Sequence, residues 1–213
     1  MPAYKLYYFN QRSRGEFLRM LLHLSQADFE DIRIEKADFA EFKKTHIVPF
    51  GQLPVLELED GTVLPQSLSI ARYLGEQHDL FGSNAVERAQ IDMFANAYYD
   101  LRRDYIRPLG WARSSSGEHA KQQLDDATAK LQEQLSKCLD TLERQLASSN
   151  SGFLVGQKVS WVDLLIAEML DQVNTLILPG TLTRWAPTLA YVQRILCLPA
   201  VSAYIRTRPY TKR

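Results

Sequence analysis

The chain has 213 residues, of which 46% are hydrophobic, and its 25 Lys and Arg residues balance its 25 Asp and Glu residues. This length is sufficient to bury one large or two small hydrophobic cores. The formal net charge of 0 argues against nucleic acid or an anionic membrane surface as the main partner. No apolar run approaches the roughly 18 residues that a membrane span needs, and the start lacks a signal-peptide layout, so we expect a cytoplasmic protein.

The first third of the chain alternates between strand and helix patterns. Apolar and polar residues alternate over Tyr4–Phe9, which predicts a strand, and Phe29–Ile34 predicts a second. Between them, residues 15–24 carry apolar side chains at helical spacing. A strand, a helix and a strand followed by a hairpin and a helix indicate an α/β unit with a mixed sheet.

The hairpin is predicted within residues 49–67, PFGQLPVLELEDGTVLPQS. A turn precedes Leu53-Pro54, and residues 55–59 then read as a strand. Asp60-Gly61 is a strong hairpin signal, so residues 62–64 should return antiparallel. Ser67 stands at the N-cap position of the helical run that starts at Leu68.

Two features of this hairpin offer backbone groups to a ligand. Because Pro54 has no N–H, the chain there is a sheet edge or a break, and Leu53 can pair with an added peptide strand. The first N–H groups after Ser67 have no partners within the helix and suit a carboxylate. The pattern fits a small anionic peptide, although the residues alone favour a plain turn and a plain cap.

From the polar connection at residues 80–84 onward, the pattern is helical almost throughout. One long helix is predicted over residues 86–109, stopped near Pro108 and Gly110. Residues 118–147 predict another helix, whose apolar stripe indicates ordinary bundle core. The stripe consists of Leu124, Leu131, Leu135, Cys138, Leu142 and Leu146.

Two short helices punctuated by Pro187 and Pro199 are predicted near the end, before a basic tail at residues 206–213. We interpret the tail as solvated, with a position beside a substrate cleft as the alternative. Upstream, Ser160 and Asp163 form a capping-box variant that stabilises its helix by about 1 kcal/mol.

The two cysteines and four histidines predict neither a disulfide nor a metal site. Cys138 and Cys197 are far apart in apolar helical patterns, which favours two buried thiols in a reducing compartment. The histidines show no metal-ligand spacing. They are His23, His46, His78 and His119.

Several strings along the chain resemble the cytosolic glutathione transferases, most closely the sigma class with its invertebrate and nematode members. The strings are YKLYYFNQRSRGE, PFGQLP, QSLSIARYLG, FLVGQKVSWVDLL and PAVSAYIRTRP. The resemblance implies a thioredoxin-like glutathione-binding domain at residues 1–80 and an all-helical domain at residues 84–213 that contributes the second-substrate pocket. It also implies a cis peptide bond before Pro54, a homodimer, glutathione as co-substrate, a small hydrophobic electrophile as second substrate and a role in detoxification.

Tyr8 matches the catalytic tyrosine of this family, and Arg14 matches a charge that orders the site around it. A free thiol with a pKa of about 8.5 is only a few per cent ionised at neutral pH. A phenol that donates a hydrogen bond to the sulfur stabilises the thiolate by roughly 1.5–3 kcal/mol, or about one to two pKa units. The thiolate then attacks an electrophilic carbon or a peroxide.

By the same resemblance, Gln66 and Ser67 hold the γ-glutamyl carboxylate, and the Leu53 backbone pairs with the cysteinyl unit. Lys43 and Asp100 are also implied to bind glutathione, Asp100 from the partner subunit. The alternative interpretation of these two residues is a solvated surface charge. The glutathione-binding residues implied are Tyr8, Arg14, Phe39, Lys43, Gln52, Leu53, Pro54, Gln66, Ser67 and Asp100. Two departures, Phe39 for the usual tryptophan and Ser13 for the usual glycine, weaken the expected glutathione binding, and the loop over residues 44–48 is longer than usual.

The second-substrate pocket is expected between Phe9, the end of the long helix and the C-terminal tail. Its candidate residues are Phe9, Tyr105, Arg107 and Trp111. A close alternative function is a glutathione-dependent prostaglandin-H2 D-isomerase. A non-catalytic carrier of hydrophobic ligands or a lens crystallin on the same fold is the other alternative, although a crystallin has no need of Tyr8, Gln66 and Ser67 together.

Overall fold

The computed structural model describes residues 2–211. It confirms the predicted mixed sheet, which consists of β1 (Tyr4–Phe9), β2 (Phe29–Ile34), β3 (Val55–Leu58) and β4 (Val63–Pro65) in the order β2-β1-β3-β4. Strand β1 runs parallel to β2 and antiparallel to β3, and β3 pairs antiparallel with β4. The helices of this part are α1 (Ser13–Leu24), between β1 and β2, α2 (Phe39–Thr45), between β2 and β3, and α3 (Ser67–Gln77), after β4.

Helix α1 is the central element of the fold. Its apolar residues Phe17, Leu18 and Met20 are at most 1% exposed. The helix packs against α3 on one side and against helices of the second half of the chain on the other. Burial on all sides explains why its sequence is almost continuously apolar after the first turn.

Helix α2 was not predicted. The prediction of a loop over residues 44–48 is therefore partly wrong, because the helix includes the first two of these residues. Lys44 and Thr45 are the last two residues of this helix. None of its residues is buried, so its sequence carries no apolar stripe that marks a helix facing a core.

The predicted end of the long helix near Pro108 and Gly110 is also wrong. Helix α4 (Ala85–Leu101) is followed without interruption by a π-helical turn at Arg102–Ile106 and by α5 (Arg107–Ala112). Pro108 lies in the first turn of α5 and has no N–H to donate. The π-helical turn changes the hydrogen-bond spacing just before the proline, which lets the helical path continue.

The remaining helices are α6 (Ala120–Ser148), α7 (Trp161–Gln172), α8 (Ala186–Leu196) and α9 (Pro199–Thr207), with a π-helical turn at Val173–Ile177 and a 3₁₀ turn at Thr181–Arg184. The predicted stripe of α6 is confirmed as core at Leu131, Leu135 and Leu142. The capping box at the start of α7 is confirmed as well. Pro187 and Pro199 lie in the first turns of α8 and α9, so they begin these helices.

The expectation of two buried thiols is wrong for Cys197. Both cysteines are free, but Cys138 is partly buried and Cys197 is exposed. Cys197 is the residue that follows the last turn of α8, where the chain leaves the apolar face of the helix.

The tail is also less solvated than expected, because Arg208 donates to Glu16 Oε1 over 2.8 Å. Lys212 and Arg213 lie outside the described residues. Within residues 2–211, no single helix has the length and apolar character to cross a membrane; α8 and α9 together meet the length and composition criteria but are bent by 81°.

Candidate active site

Tyr8 lies near the end of β1 with only 3% of its surface exposed. Its ring fits against the first turn of α1 because Gly15 has no side chain. A Cβ atom at Gly15 would lie 2.2 Å from Cδ1 of the Tyr8 ring, which is closer than real Cβ contacts allow. The Arg19 guanidinium lies 5.7 Å from the ring centroid. The sequence therefore fixes the tyrosine ring at the junction of β1 and α1.

The hydroxyl of Tyr8 is oriented by the backbone of Arg14. The Arg14 N–H donates to the Tyr8 oxygen over 3.2 Å. Because this bond uses a lone pair of the oxygen, the phenol proton remains available for donation to a ligand. A phenol that already accepts one hydrogen bond is polarised to donate the next more strongly.

The Arg14 side chain points elsewhere, since its guanidinium carbon lies 5.1 Å from the centre of the Tyr99 ring. Arg14 was expected to order the surroundings of Tyr8 through its charge. The structure shows a direct contact through the Arg14 main-chain amide instead.

A cavity of about 650 Å³ opens beside Tyr8. This volume lies within the range of small-molecule sites. The cavity brings together residues from β1, the segment before β3 and the helical path that follows α4. Of the residues expected at the site, it is lined by Tyr8, Phe9, Arg14, Phe39, Gln52, Leu53, Arg107 and Trp111.

A smaller depression adjoins this cavity and shares Arg14, Gln52 and Leu53 with it. Pro54, Gln66 and Ser67 line the depression as well. The Leu53-Pro54 peptide bond is cis, which confirms the expectation. The cavity and the depression together form one trough, and they hold eight of the ten residues expected to bind glutathione, counted as five in the cavity and three more in the depression.

The expected N-cap role of Ser67 is wrong, because Gln66 is the N-cap of α3. The Gln66 carbonyl accepts from Ile70 N over 2.9 Å, and Ser67 is already the first helical residue. The Ser67 hydroxyl instead lies 2.9 Å from the Tyr99 hydroxyl. No side chain caps this helix start, so its first amides remain available to a carboxylate.

The backbone of Gln66 has a φ of 74°. A non-glycine residue in this conformation costs of order 1–3 kcal/mol and is found most often at functional sites. Gln66 thus enters the trough at a strained turn between β4 and α3.

Three of the expected site residues do not line the trough. Lys43 is exposed, with its Nζ 4.9 Å from the centre of the Phe39 ring. Asp100 is exposed on α4 and pairs with Arg103 over 3.0 Å. Tyr105 packs against the helical core, because the π-helical turn changes the register and directs Ile106 to the cavity instead.

The other wall of the cavity was placed wrongly at the C-terminal tail. It is built from Gln172 at the end of α7 and from Leu176 and Ile177 in the π-helical turn that follows. Within the described part of the tail, Arg208 is held by Glu16 of α1 and does not line the cavity. The irregular turn after α7 carries no sequence signal that distinguishes it from a buried helix.

Sequence reasoning also missed other cavity residues, among them Lys36, Arg102, Ile106 and Arg113. By sequence alone, Arg102 and Arg113 are indistinguishable from solvated charges on the exposed face of a helix. The run RRDYIRP was the available signal, since several cations at the end of one helix suggest an anion nearby.

Ser13 explains how Arg102 is held. The φ angle of Ser13 is 48°, which lies in the left-handed region that favours glycine. This conformation accounts for the glycine that is usual here in the family that the sequence resembles. The serine hydroxyl accepts from Arg102 Nη2 over 2.7 Å. The departure from glycine therefore creates a contact to a cavity residue.

A buried ion network holds the segment before α1 against α7. Arg12 donates to Glu168 Oε1 over 3.1 Å and to Asp171 Oδ2 over 2.7 Å. Burial raises the pKa of Glu168, and the positive charge of Arg12 opposes this shift. Among residues 2–211, no group of three or more His, Cys, Asp or Glu side chains is placed to hold a metal ion.

Two family models match the chain. The model described as glutathione S-transferase, N-terminal domain, matches residues 3–76, and the model described as glutathione S-transferase, C-terminal domain, matches residues 109–208. Glutathione S-transferase 1 of Ascaris suum is 36% identical over 212 residues, with 99% of each chain covered. Hematopoietic prostaglandin D synthase of Mus musculus is 34% identical, with 100% of each chain covered. The crystal structure of monomeric Na-GST-3 from the hookworm Necator americanus superposes with a TM-score of 0.87 at 30% identity, covering 99% of each chain.

Proposed function

The chain belongs to the glutathione S-transferase family, and from this premise we propose that Tyr8 activates the thiol of glutathione for attack on a small hydrophobic electrophile. Glutathione is the co-substrate of this family. The observation that carries the proposal is the buried Tyr8 hydroxyl, which accepts from Arg14 N at the edge of the cavity.

Tyr8 acts in this mechanism as a hydrogen-bond donor to sulfur. Its phenol proton points to the thiol position, and the bond favours the thiolate over the thiol. A hydrogen bond to a charged group is worth roughly 1.5–3 kcal/mol, which lowers the thiol pKa by about one to two units. The thiolate becomes a major species at neutral pH.

The rest of glutathione lies along the trough. The free N–H and C=O of Leu53 pair with the cysteinyl unit in the manner of an added strand. The γ-glutamyl carboxylate is held by Gln66, Ser67 and the first amides of α3, where the helix dipole favours an anion. Arg14, Phe39, Gln52 and Pro54 shape the trough around the peptide.

The chain divides in this proposal into a thioredoxin-like glutathione-binding domain at residues 1–80 and an all-helical domain at residues 84–213. The sheet lies in the first range, and every element from α4 onward is helical. The cavity between them takes Tyr8 from the first and Arg107 and Trp111 from the second. We place the protein in the cytoplasm, and recovery in a membrane fraction would contradict this.

We also propose a homodimer in which Asp100 reaches the glutathione of the partner subunit. Asp100 is exposed on α4 and lies outside the trough of its own chain. Replacing Asp100 by Asn is expected to raise the Kd for glutathione several-fold, because a charge-assisted contact is lost. Sedimentation of the native protein should give twice the mass of one chain. The hookworm relative is described as monomeric, so a monomer is the alternative to this dimer. A fully active monomer would contradict the dimer.

A second candidate function is the glutathione-dependent isomerisation of prostaglandin H2. It is favoured by the whole-chain similarity to a protein named hematopoietic prostaglandin D synthase. The same thiolate would attack the endoperoxide, so the active-site geometry serves both reactions. Analysis of the product formed from prostaglandin H2 separates the two.

Retention on immobilised glutathione, followed by a turnover assay with chlorodinitrobenzene, tests the proposed function. The protein is expected to be retained and to conjugate the aryl halide. Retention without turnover would contradict the enzyme and indicate a hydrophobic-ligand carrier. A failure of both would favour a structural, crystallin-like role.

A further inference from the structure

The cavity beside Tyr8 is strongly positive, although the chain as a whole carries a formal net charge of 0. Neither aspartate nor glutamate is present among the residues that line it in the described part of the chain. Its five cationic residues are Arg14, Lys36, Arg102, Arg107 and Arg113. Such a one-sign lining in a cleft concentrates anions there.

The three arginines on the helical wall, Arg102, Arg107 and Arg113, make no ion pair with any residue in the range 2–211. Arg102 contacts neutral oxygens, at 2.7 Å from Ser13 Oγ and 3.4 Å from Gln172 Oε1. Arg113 donates to the carbonyl of Ile177.

The remaining described neighbours of these arginines form no direct ion pair with them. Arg107 stacks on Trp111, with its guanidinium carbon 4.6 Å from the ring centroid. The negative charge of Glu168 interacts with Arg102, but that carboxylate is buried and bonded to Arg12. The direct contacts therefore orient the guanidinium groups without pairing them with a carboxylate, and the nearby charge of Glu168 offsets part of the charge of Arg102.

The same cavity also offers an apolar surface. Its apolar lining residues include Phe9, Ile106, Leu109, Trp111, Leu176 and Ile177. An apolar wall beside unpaired arginines suits a ligand with an apolar body and an anionic end, because each part then finds its complement.

We propose that the second substrate is an amphipathic anion, an electrophile that carries a carboxylate beside its apolar body. Arg102 and Arg107 bind the carboxylate, and Ser13 acts as a positioning residue for Arg102. This inference rests on the proposed function, because the electrophilic carbon must meet the thiolate beside Tyr8.

A matched pair of aryl halides tests the charge preference. Chlorodinitrobenzoate is anionic, and its methyl ester is neutral. In both, the thiolate sulfur forms a bond to the ring carbon that carries chlorine, chloride leaves with the electron pair of the broken bond, and the thiol proton passes to solvent. The measured quantity is the ratio of kcat/KM for the carboxylate to kcat/KM for the ester.

Arg102→Gln is expected to lower this ratio about tenfold, mainly through KM, since one charge-assisted hydrogen bond is lost. Arg107→Gln should lower it in the same direction, and because Arg107 is exposed, its loss leaves no buried partner unpaired. Arg184→Gln removes the same charge from an exposed residue outside the cavity and should leave the ratio unchanged.

The outcomes separate this inference from the proposed function. The anion preference would be overturned if both compounds were turned over and the ratio of kcat/KM values were equal in the native protein, Arg102→Gln and Arg107→Gln. That result would leave the proposed transferase activity intact. A native protein that conjugates neither compound would overturn the proposed function and this inference with it.

Discussion

Replacing Tyr8 by Phe is expected to lower kcat/KM for the conjugation of chlorodinitrobenzene by about 10- to 100-fold, which corresponds to roughly 1.5–3 kcal/mol of lost thiolate stabilisation. Phenylalanine keeps the ring that packs against Gly15 and removes only the hydroxyl. The Kd for glutathione should change little, because the peptide is held by Leu53, Gln66 and Ser67. Steady-state kinetics with a parallel binding titration measure both quantities.

Tyr7→Phe is the matched control for this variant. Tyr7 is the preceding residue of β1, and its hydroxyl donates to Glu57 Oε2 over 2.8 Å, outside the trough. Removing this hydroxyl should leave turnover unchanged. Unchanged turnover in Tyr8→Phe, or an equal loss in both variants, would remove the assigned role of Tyr8.

Replacing Asp163 by Ala is expected to lower the free energy of unfolding by about 3–5 kcal/mol. Asp163 is fully buried at the start of α7. Its Oδ1 accepts from Leu154 N over 3.0 Å and from the Tyr191 hydroxyl over 2.9 Å. Its Oδ2 accepts from Ser160 N over 2.9 Å and from the Ser160 hydroxyl over 3.0 Å.

Alanine leaves these donors buried without an acceptor, and the cost of desolvating them falls on the folded state. The structure thus assigns Asp163 more than the roughly 1 kcal/mol expected of a capping box alone. Urea unfolding measures the change. Asp140→Ala, on the exposed face of α6, serves as the control and should shift stability by less than about 0.5 kcal/mol. A similarly small shift for Asp163→Ala would contradict the assignment.

Local patterns were sufficient to predict the sheet. Alternation over Tyr4–Phe9 and the Asp60-Gly61 turn are signals that neighbouring residues carry by themselves, and the structure follows them. The stripe of α6 was predictable for the same reason. Helix α2 was missed because it buries no residue, so no periodicity marks it.

The site was predictable only where a motif names consecutive residues. Leu53-Pro54 and Gln66-Ser67 were found through the family resemblance, and the structure brings them into one depression. The positive wall was not predictable, because it depends on which residue faces the cavity after the π-helical turn. A change of helical register by one residue places Ile106 instead of Tyr105 in the cavity wall. The sequence carries no signal for that change.

The contact between Gly15 and Tyr8 shows the same limit. The sequence predicts Gly15 only as the first residue of a helix, yet its missing side chain makes room for the tyrosine ring. A contact of this kind joins two elements, so it becomes visible only when both are placed.

Titration of bound glutathione by the ultraviolet absorbance of its thiolate tests the central claim most directly. In the native protein, the pKa of the bound thiol is expected about one to two units below the free-thiol value of about 8.5. In Tyr8→Phe, it should return close to that value. Identical titration curves for the two proteins would contradict thiol activation by Tyr8.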